Sequence, residues 1–182
     1  MILDALTLAD VEQVRQWRNL PDARPGLRTD VMLTQLQQEA WYRDVVCDRR
    51  AVHRYWAVRD DNGVLLAQAG LTDISWGDGH AEISLIVSPH ARGGGVGGEA
   101  VTLVLREAFE HMRLHQVYGE VYWCNKGALE FWVGQMERHT KWRRTSPFAA
   151  AGPVVVLSDR KWWEGRFWNA TYFTITAEAW TG

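Results

Sequence analysis

Long apolar runs, paired cysteines and an excess of basic charge are all missing from this sequence, and each absence removes a class of protein. No stretch approaches the ~20 apolar residues that a bilayer-spanning helix needs, and Met1-Ile2-Leu3-Asp4 lacks the basic and apolar regions of a secretory leader. A cytoplasmic protein without a membrane partner is expected. Cys47 and Cys124 stand alone, without the Cys/His spacing of a zinc site or the density of a disulfide framework. Two reduced thiols and no metal follow. The formal charge of -2 offers no basic field of the kind that a nucleic acid selects, so no nucleic-acid partner is expected.

What is present suits one folded unit. A chain of 182 residues, 47% hydrophobic and 23% charged, can bury a sizeable core but would divide into two marginal ones, so a single domain over 1–182 is expected. Eleven tryptophans are the compositional oddity. Each needs room for a large ring and a partner for its indole N–H, and some are expected to line a groove.

Val11, Val14, Trp17 and Leu20 recur at helical spacing behind Asp10, taken as the N-cap, with Pro21 closing the segment. Leu36, Ala40, Trp41 and Val45 predict a second helix within Gln35–Val46, after a surface loop over Pro21–Asp30. From Arg54 the period shortens. Tyr55–Val58, a turn at Asp60–Gly63, Val64–Leu71, a turn at Trp76–Gly79 and Ala81–Val87 predict three antiparallel strands. Val101, Val104, Leu105, Ala108 and Met112 mark one face of the strongest helix, with Glu99 in its first turn. A strand over Val117–Trp123 then implies one parallel pairing, and a short helix over Lys126–Val133 follows. Lys141–Pro147, Val154–Leu157 and Phe167–Thr176 are strand-like.

The densest signal is Arg92-Gly93-Gly94-Gly95-Val96-Gly97-Gly98, set between a strand and the strongest helix. Glycines there let the backbone approach a ligand and aim several N–H groups at one point, at the positive end of the helix dipole. Phosphate is the natural occupant. No Gly-Lys-Ser/Thr follows to hold a triphosphate and magnesium, and antiparallel hairpins precede the loop where a dinucleotide fold would have a parallel βαβ unit. A diphosphate held without a metal remains.

This run, preceded by Ile86-Val87-Ser88-Pro89 and followed after the next strand by Asn125, Ala128 and Phe131, resembles the GCN5-related N-acetyltransferases (GNAT). Leu6, Asp10, Trp17-Arg18-Asn19, Trp41-Tyr42, Gly70-Leu71, Asp73-Ile74 and Ala81-Glu82-Ile83 are similar to landmarks of the branch that acetylates ribosomal-protein N-termini, polyamines and amino sugars. The resemblance implies an α/β (α+β) fold, with a mixed, mostly antiparallel central sheet flanked by helices and one parallel strand pair at the cofactor cleft. It implies acetyl-CoA as co-substrate. Ile86 and Val87 would meet the pantetheine arm, and Arg92, Gly93, Gly94, Gly95, Val96, Gly97 and Gly98 the pyrophosphate. Asn125, Ala128 and Phe131 would flank the cofactor's other side, although Asn125 also reads as a plain helix N-cap.

Direct transfer needs a neutral amine and a route for its proton. Glu82, a carboxylate on the central strand, is the candidate base, an exposed strand glutamate or salt-bridge partner being its competing role; His80 is a weaker alternative that also reads as a turn residue, and His90 reads as solvated. The family often protonates the departing thiolate with a tyrosine where this chain has Trp132, and indole cannot act as an acid. Either Tyr122, Ser84 or water takes that role, or the thiolate leaves unprotonated, which the modest pKa of a thiol allows. The family's Gly-Phe after the small helix is replaced by Gly134-Gln135-Met136, which points to an altered acceptor end. Trp17, Arg18, Trp41, Tyr42, Trp162, Trp163 and Trp168 are candidates for an acceptor groove, with core packing the competing role for Trp17 and Trp41 and a substrate or dimer contact favoured for the Trp162–Gly165 turn. The expected activity is transfer from acetyl-CoA to a peptide N-terminus, a polyamine or aminoglycoside, or an amino sugar, by a monomer or homodimer. A non-catalytic CoA-binding module and an enzyme for bulkier acyl groups are the alternatives.

Overall fold

The computed structural model describes residues 1–29, 31–48, 52–141 and 154–182. Among the described residues seven strands form one sheet, in the order β1-β2-β3-β4-β5-β7-β6. They are β1 (Ile2–Ala5), β2 (Arg54–Arg59), β3 (Leu65–Ser75), β4 (His80–Val87), β5 (Gln116–Tyr122), β6 (Val154–Trp163) and β7 (Arg166–Thr176). All pairings are antiparallel except β4 with β5, so the mixed sheet with one parallel pair is as expected. Strand β1 is additional: four residues at a sheet edge, mostly exposed, give too little alternation to be read from sequence. The strand-like part of Lys141–Pro147 beyond Lys141 lies outside the described residues.

Helices α1 (Leu8–Arg18) and α2 (Gln35–Trp41) cover one face, and α3 (Val96–Arg106) and α4 (Lys126–His139) are packed with the other. Strand alternation separates two cores accordingly. Val58, Ala69, Leu71, Ile83, Val117 and Phe173 meet Val101, Val104 and Leu105 of α3. On the opposite face Ala57 and Leu65 meet Val11, Val14 and Trp17 of α1, with Trp41, Tyr55 and Ile86 at the margin. Trp17 is therefore a core residue.

Helix α1 starts earlier than its apolar pattern indicated. Thr7, not Asp10, is the N-cap, and the two make a reciprocal capping box, Thr7 N–H donating to Asp10 at 2.8 Å and Asp10 N–H to Thr7 Oγ1 at 3.3 Å. Leu8 is half exposed, so the first turn lacks the apolar face that would have marked it. Asp10 also binds the Arg59 guanidinium at 2.8 Å, tying the helix start to β2. Helix α4 runs past Val133 to His139, which makes Gly134-Gln135-Met136 helix interior, with Gln135 and Met136 buried.

Gly70 lets an aromatic ring lie on the sheet. A Cβ there would stand 2.6 Å from Tyr55 Cδ1 and 2.8 Å from the Arg54 carbonyl oxygen. Gly70→Ala is expected to cost about 1–3 kcal/mol, the usual overpacking penalty, and to lower the thermal midpoint by several degrees. Calorimetric or circular-dichroism melting checks it; an unchanged midpoint would mean that the ring can leave at no cost.

Candidate active site

Strand β4 pairs with β5 only from His80 to Glu82, matched to Gln116–Tyr118. Beyond that point the strands part, so the β5-facing edge of β4 from Ile83 onward has no strand beside it among the described residues, while β3 remains paired with β4 through Val87. Backbone groups on an open edge within a sheet form a receptor for an extended, amide-bearing chain. A cleft of about 560 Å³ opens there, lined by Glu82, Ser84, Ile86, Tyr122, Asn125, Ala128 and Trp132, among others.

The glycine run sits just past the end of β4 and is built for openness. Gly93 and Gly95 have φ of 78° and 82°, and a Cβ at either would meet nothing within 4 Å. Their glycine character serves backbone conformation and leaves space above it. Gly95 caps α3 without a side-chain hydrogen bond, so the N–H groups of Val96, Gly97 and Gly98 lack protein partners among the described residues. Gly97 and Gly98 act differently: a Cβ on Gly97 would stand 3.0 Å from the Phe131 ring, and one on Gly98 3.1 Å from Arg138 Nη1. They let α4 come close to α3. Arg92 pairs with Asp22, which joins this loop to the segment after α1.

Of the residues singled out in the sequence, Glu82, Tyr122, Ile86, Asn125, Ala128, Ser84 and Trp132 share the cleft. Val87, Arg92–Gly98 and Phe131 do not line it; the loop lies beside it, and Phe131 is reached through Gly97. Asn125 is the N-cap of α4, its Oδ1 accepting from Ala128 N–H at 3.1 Å, so its helix-cap reading is correct whatever else it does. His80 packs on the Tyr118 ring outside the cleft.

Glu82 is buried on the α1–α2 face and accepts a hydrogen bond from the Arg28 guanidinium. Although burial opposes its charge, that bond to Glu82 holds Arg28 protonated more firmly than usual. Tyr122 is nearly buried, and burial pushes its phenol above the ordinary value, so it remains a proton donor through neutral pH. Trp132 stacks on Phe173 at 4.9 Å between centroids and at 29°, a packing role.

Of the segment expected as a surface loop, Pro21–Asp30, the described residues 21–29 are exposed or half-buried, as a surface loop should be, and in addition lie over the cleft. Lys161 Nζ donates to the Leu27 carbonyl at 3.0 Å and Cys124 Sγ to that of Pro25 at 3.4 Å. Gly26, Leu27, Arg28 and Thr29 line the cleft. Polar composition marked the segment as a loop, but its contacts are with Glu82, Arg92, Cys124 and Lys161, all more than fifty residues further on, which no local pattern reveals.

Sequence reasoning also missed Tyr55, Gln68 and Arg28, all of which line the cleft. Tyr55 was legible only as a strand residue; in the fold it meets Trp41 edge-on at 4.9 Å, and burial pushes its phenol up to about 12. Of the aromatic groove candidates, Arg18 and Trp41 reach the cleft, whereas Trp17, Tyr42, Trp162, Trp163 and Trp168 do not. Tyr42 donates to the Leu6 carbonyl and Trp168 to that of Trp163. The Trp162–Gly165 turn is the tip of the β6–β7 hairpin, with Trp162 and Phe167 exposed and edge-to-face at 4.9 Å.

A mostly antiparallel sheet, opened by one parallel pair beside a glycine loop that caps a helix, is the architecture of a GNAT-type acyltransferase. The chain belongs to that family: the model of the GNAT acetyltransferase domain matches residues 1–131. It is an acetyl-CoA-dependent N-acetyltransferase. No curated protein sequence matches it. Among solved structures it is similar to the Vibrio cholerae spermidine N-acetyltransferase in complex with CoA and spermine, at 18% identity and a TM-score of 0.79, over 98% of this chain and 96% of that one. A chimera of the Vibrio cholerae enzyme with hSSAT matches at 18% identity and 0.77, over 98% and 97%. A second such chimera matches at 20% and 0.74, over 98% of both chains. At this identity the likeness is one of fold. Among the described residues no helix is long and apolar enough to cross a membrane, and no group of three or more His, Cys, Asp or Glu side chains could hold a metal ion.

Proposed function

We propose that residues 1–182 act as one catalytic unit that moves the acetyl group from acetyl-CoA directly to the primary amine of a small acceptor, with Glu82 as base and Tyr122 as acid. The parting of β4 and β5, with Glu82 and Tyr122 lining the same cleft, is the observation that carries this reading. The N–H groups of Val96–Gly98 and the open glycine backbone would take the pyrophosphate, and the free edge at Ile86 and Val87 the pantetheine arm. Arg92 would add charge at the rim, and Asn125, Ala128 and Phe131 would bound the cofactor from the α4 side.

In the transfer, the amine nitrogen attacks the thioester carbon. A C–N bond forms as the carbonyl opens to a tetrahedral oxyanion, the ammonium proton leaves to Glu82 directly or through water, and collapse of the oxyanion breaks the C–S bond as the sulfur takes its proton from Tyr122, which solvent reprotonates. A backbone N–H at the end of β4, that of Val87, would face the tetrahedral oxyanion. The enzyme would work in the cytoplasm, as a monomer or homodimer, in keeping with its free cysteines and its intracellular donor.

Thiol release from acetyl-CoA, measured across peptide N-termini, polyamines, aminoglycosides and amino sugars, tests the reading. Release above hydrolysis on at least one amine is expected. Tight acetyl-CoA binding without release on any acceptor would overturn it. Tyr122→Phe should lower kcat about tenfold or more on the best acceptor, since it removes the acidic hydroxyl while keeping the ring.

A further inference from the structure

Two buried polar atoms in the cleft have no partner: Arg18 Nε and Gln68 Oε1. Unsatisfied buried donors and acceptors are uncommon in native proteins and are costly unless something completes them. The side chains that carry them line one cavity, which points to a ligand with complementary groups. Arg18 ends α1, beside Tyr55, and Gln68 pairs with Ala57 and Ile86 on β3.

The charges lining the cleft sharpen the point. Arg28 is engaged with Glu82, and Glu120 with Arg160 at 3.0 Å. His53 accepts from the Asp73 N–H, and the Asp73 side chain is exposed at the rim. Arg18 has no carboxylate partner among the described residues, and burial disfavours its charge. An anion delivered by a ligand would relieve that. A second ammonium, as on a polyamine, would aggravate it.

Resting on the N-acetyltransferase reading above, we infer that the acceptor is a small amine that also carries an oxyanion, a carboxylate or a phosphate, held by Arg18 while the amine lies near Gln68 and Glu82. The sheet sets the scale. Tyr55 and Ser84 share a rung two strands apart, which is about 10 Å, so amine and anion belong to one small molecule. An arginine fork takes either anion in bidentate fashion, and a site built for such a group discriminates strongly against analogues lacking it.

The test compares glycine, 4-aminobutyrate and phosphoethanolamine with propylamine and spermidine. It uses two readouts: thiol release from acetyl-CoA, and calorimetric binding of each amine to the CoA-saturated protein. At least one oxyanion-bearing amine should exceed propylamine by about tenfold or more in kcat/KM or in affinity, with spermidine below both. The carboxylate and phosphate arms identify which anion is preferred. Arg18→Met should erase the preference, so that anionic and neutral amines converge, and Arg18→Lys should restore part of it. A purely structural role for Arg18 would instead lower all acceptors alike. Binding with an Arg18-dependent preference but no transfer would leave this inference standing and remove the catalytic reading. Spermidine or propylamine matching the anionic amines in both readouts would overturn the inference while leaving acetyl transfer intact.

Discussion

Glu82→Gln should reduce kcat by about 10²–10⁴-fold, the range expected when a positioned base is lost, with little change in KM for acetyl-CoA. The substitution keeps the side chain's shape in a buried position and removes only its charge and basicity. The Arg28 guanidinium that now pairs with Glu82 is more than half exposed and can turn to water, so the fold should tolerate the change. The signature lies in the pH profile. A neutral amine attacks without help, so the deficit should shrink as pH approaches the acceptor's own pKa, where more of it is already deprotonated. Steady-state rates across pH on the best acceptor measure this. A variant with wild-type kcat at neutral pH would assign Glu82 to its ion pair alone and leave water as the proton's route.

Gly95→Glu should raise KM for acetyl-CoA by about 100-fold or more. A unit charge 4 Å from another contributes about 4 kcal/mol at an effective dielectric of 20, roughly a thousandfold, and salt at this open site reduces that. The added strain is separable. Gly95 has φ of 82°, where any side chain costs about 1–2 kcal/mol, and Gly95→Ala carries that cost without the carboxylate. Expected is a modest stability loss in both variants and a large affinity loss in the glutamate alone, read by thermal melting and by acetyl-CoA titration. Equal affinity in the two would remove the pyrophosphate from this loop. Since a Cβ at Gly95 meets nothing within 4 Å, steric disruption of the core cannot account for a difference between them.

The two predictions rest on features of unequal visibility in the sequence. The glycine run is local: its backbone requirement and the amphipathic helix behind it are written within twenty residues, and the antiparallel strands before it exclude the commoner phosphate loops. Its division of labour is not local. Gly97 and Gly98 looked like ligand-facing glycines, whereas in the fold they admit Phe131 and Arg138 of α4. A glycine needed for close approach and one needed for φ are the same letter, and only the neighbour's position separates them.

Glu82 was legible as a carboxylate on a central strand, but not its partner. Arg28 comes from a polar segment whose sequence predicts only a loop, brought over the cleft by contacts to Cys124 and Lys161. Arg18 carried an apparent role beside Trp17 in an acceptor groove. The fold sends Trp17 into the core and leaves Arg18 in the cleft, because adjacent helical residues point about 100° apart.

By itself, then, the sequence determined the order and type of the main elements and a phosphate-binding loop, since period, turn chemistry and a glycine-capped helix are properties of short stretches, while CoA as the donor followed from the family resemblance of that loop and its flanks. The tertiary structure alone decided where β4 and β5 part, which loop closes over the opening, and which buried polar atoms are left without partners. Those depend on groups far apart in the chain meeting across a sheet, and unmet hydrogen bonds exist only once everything else has been paired.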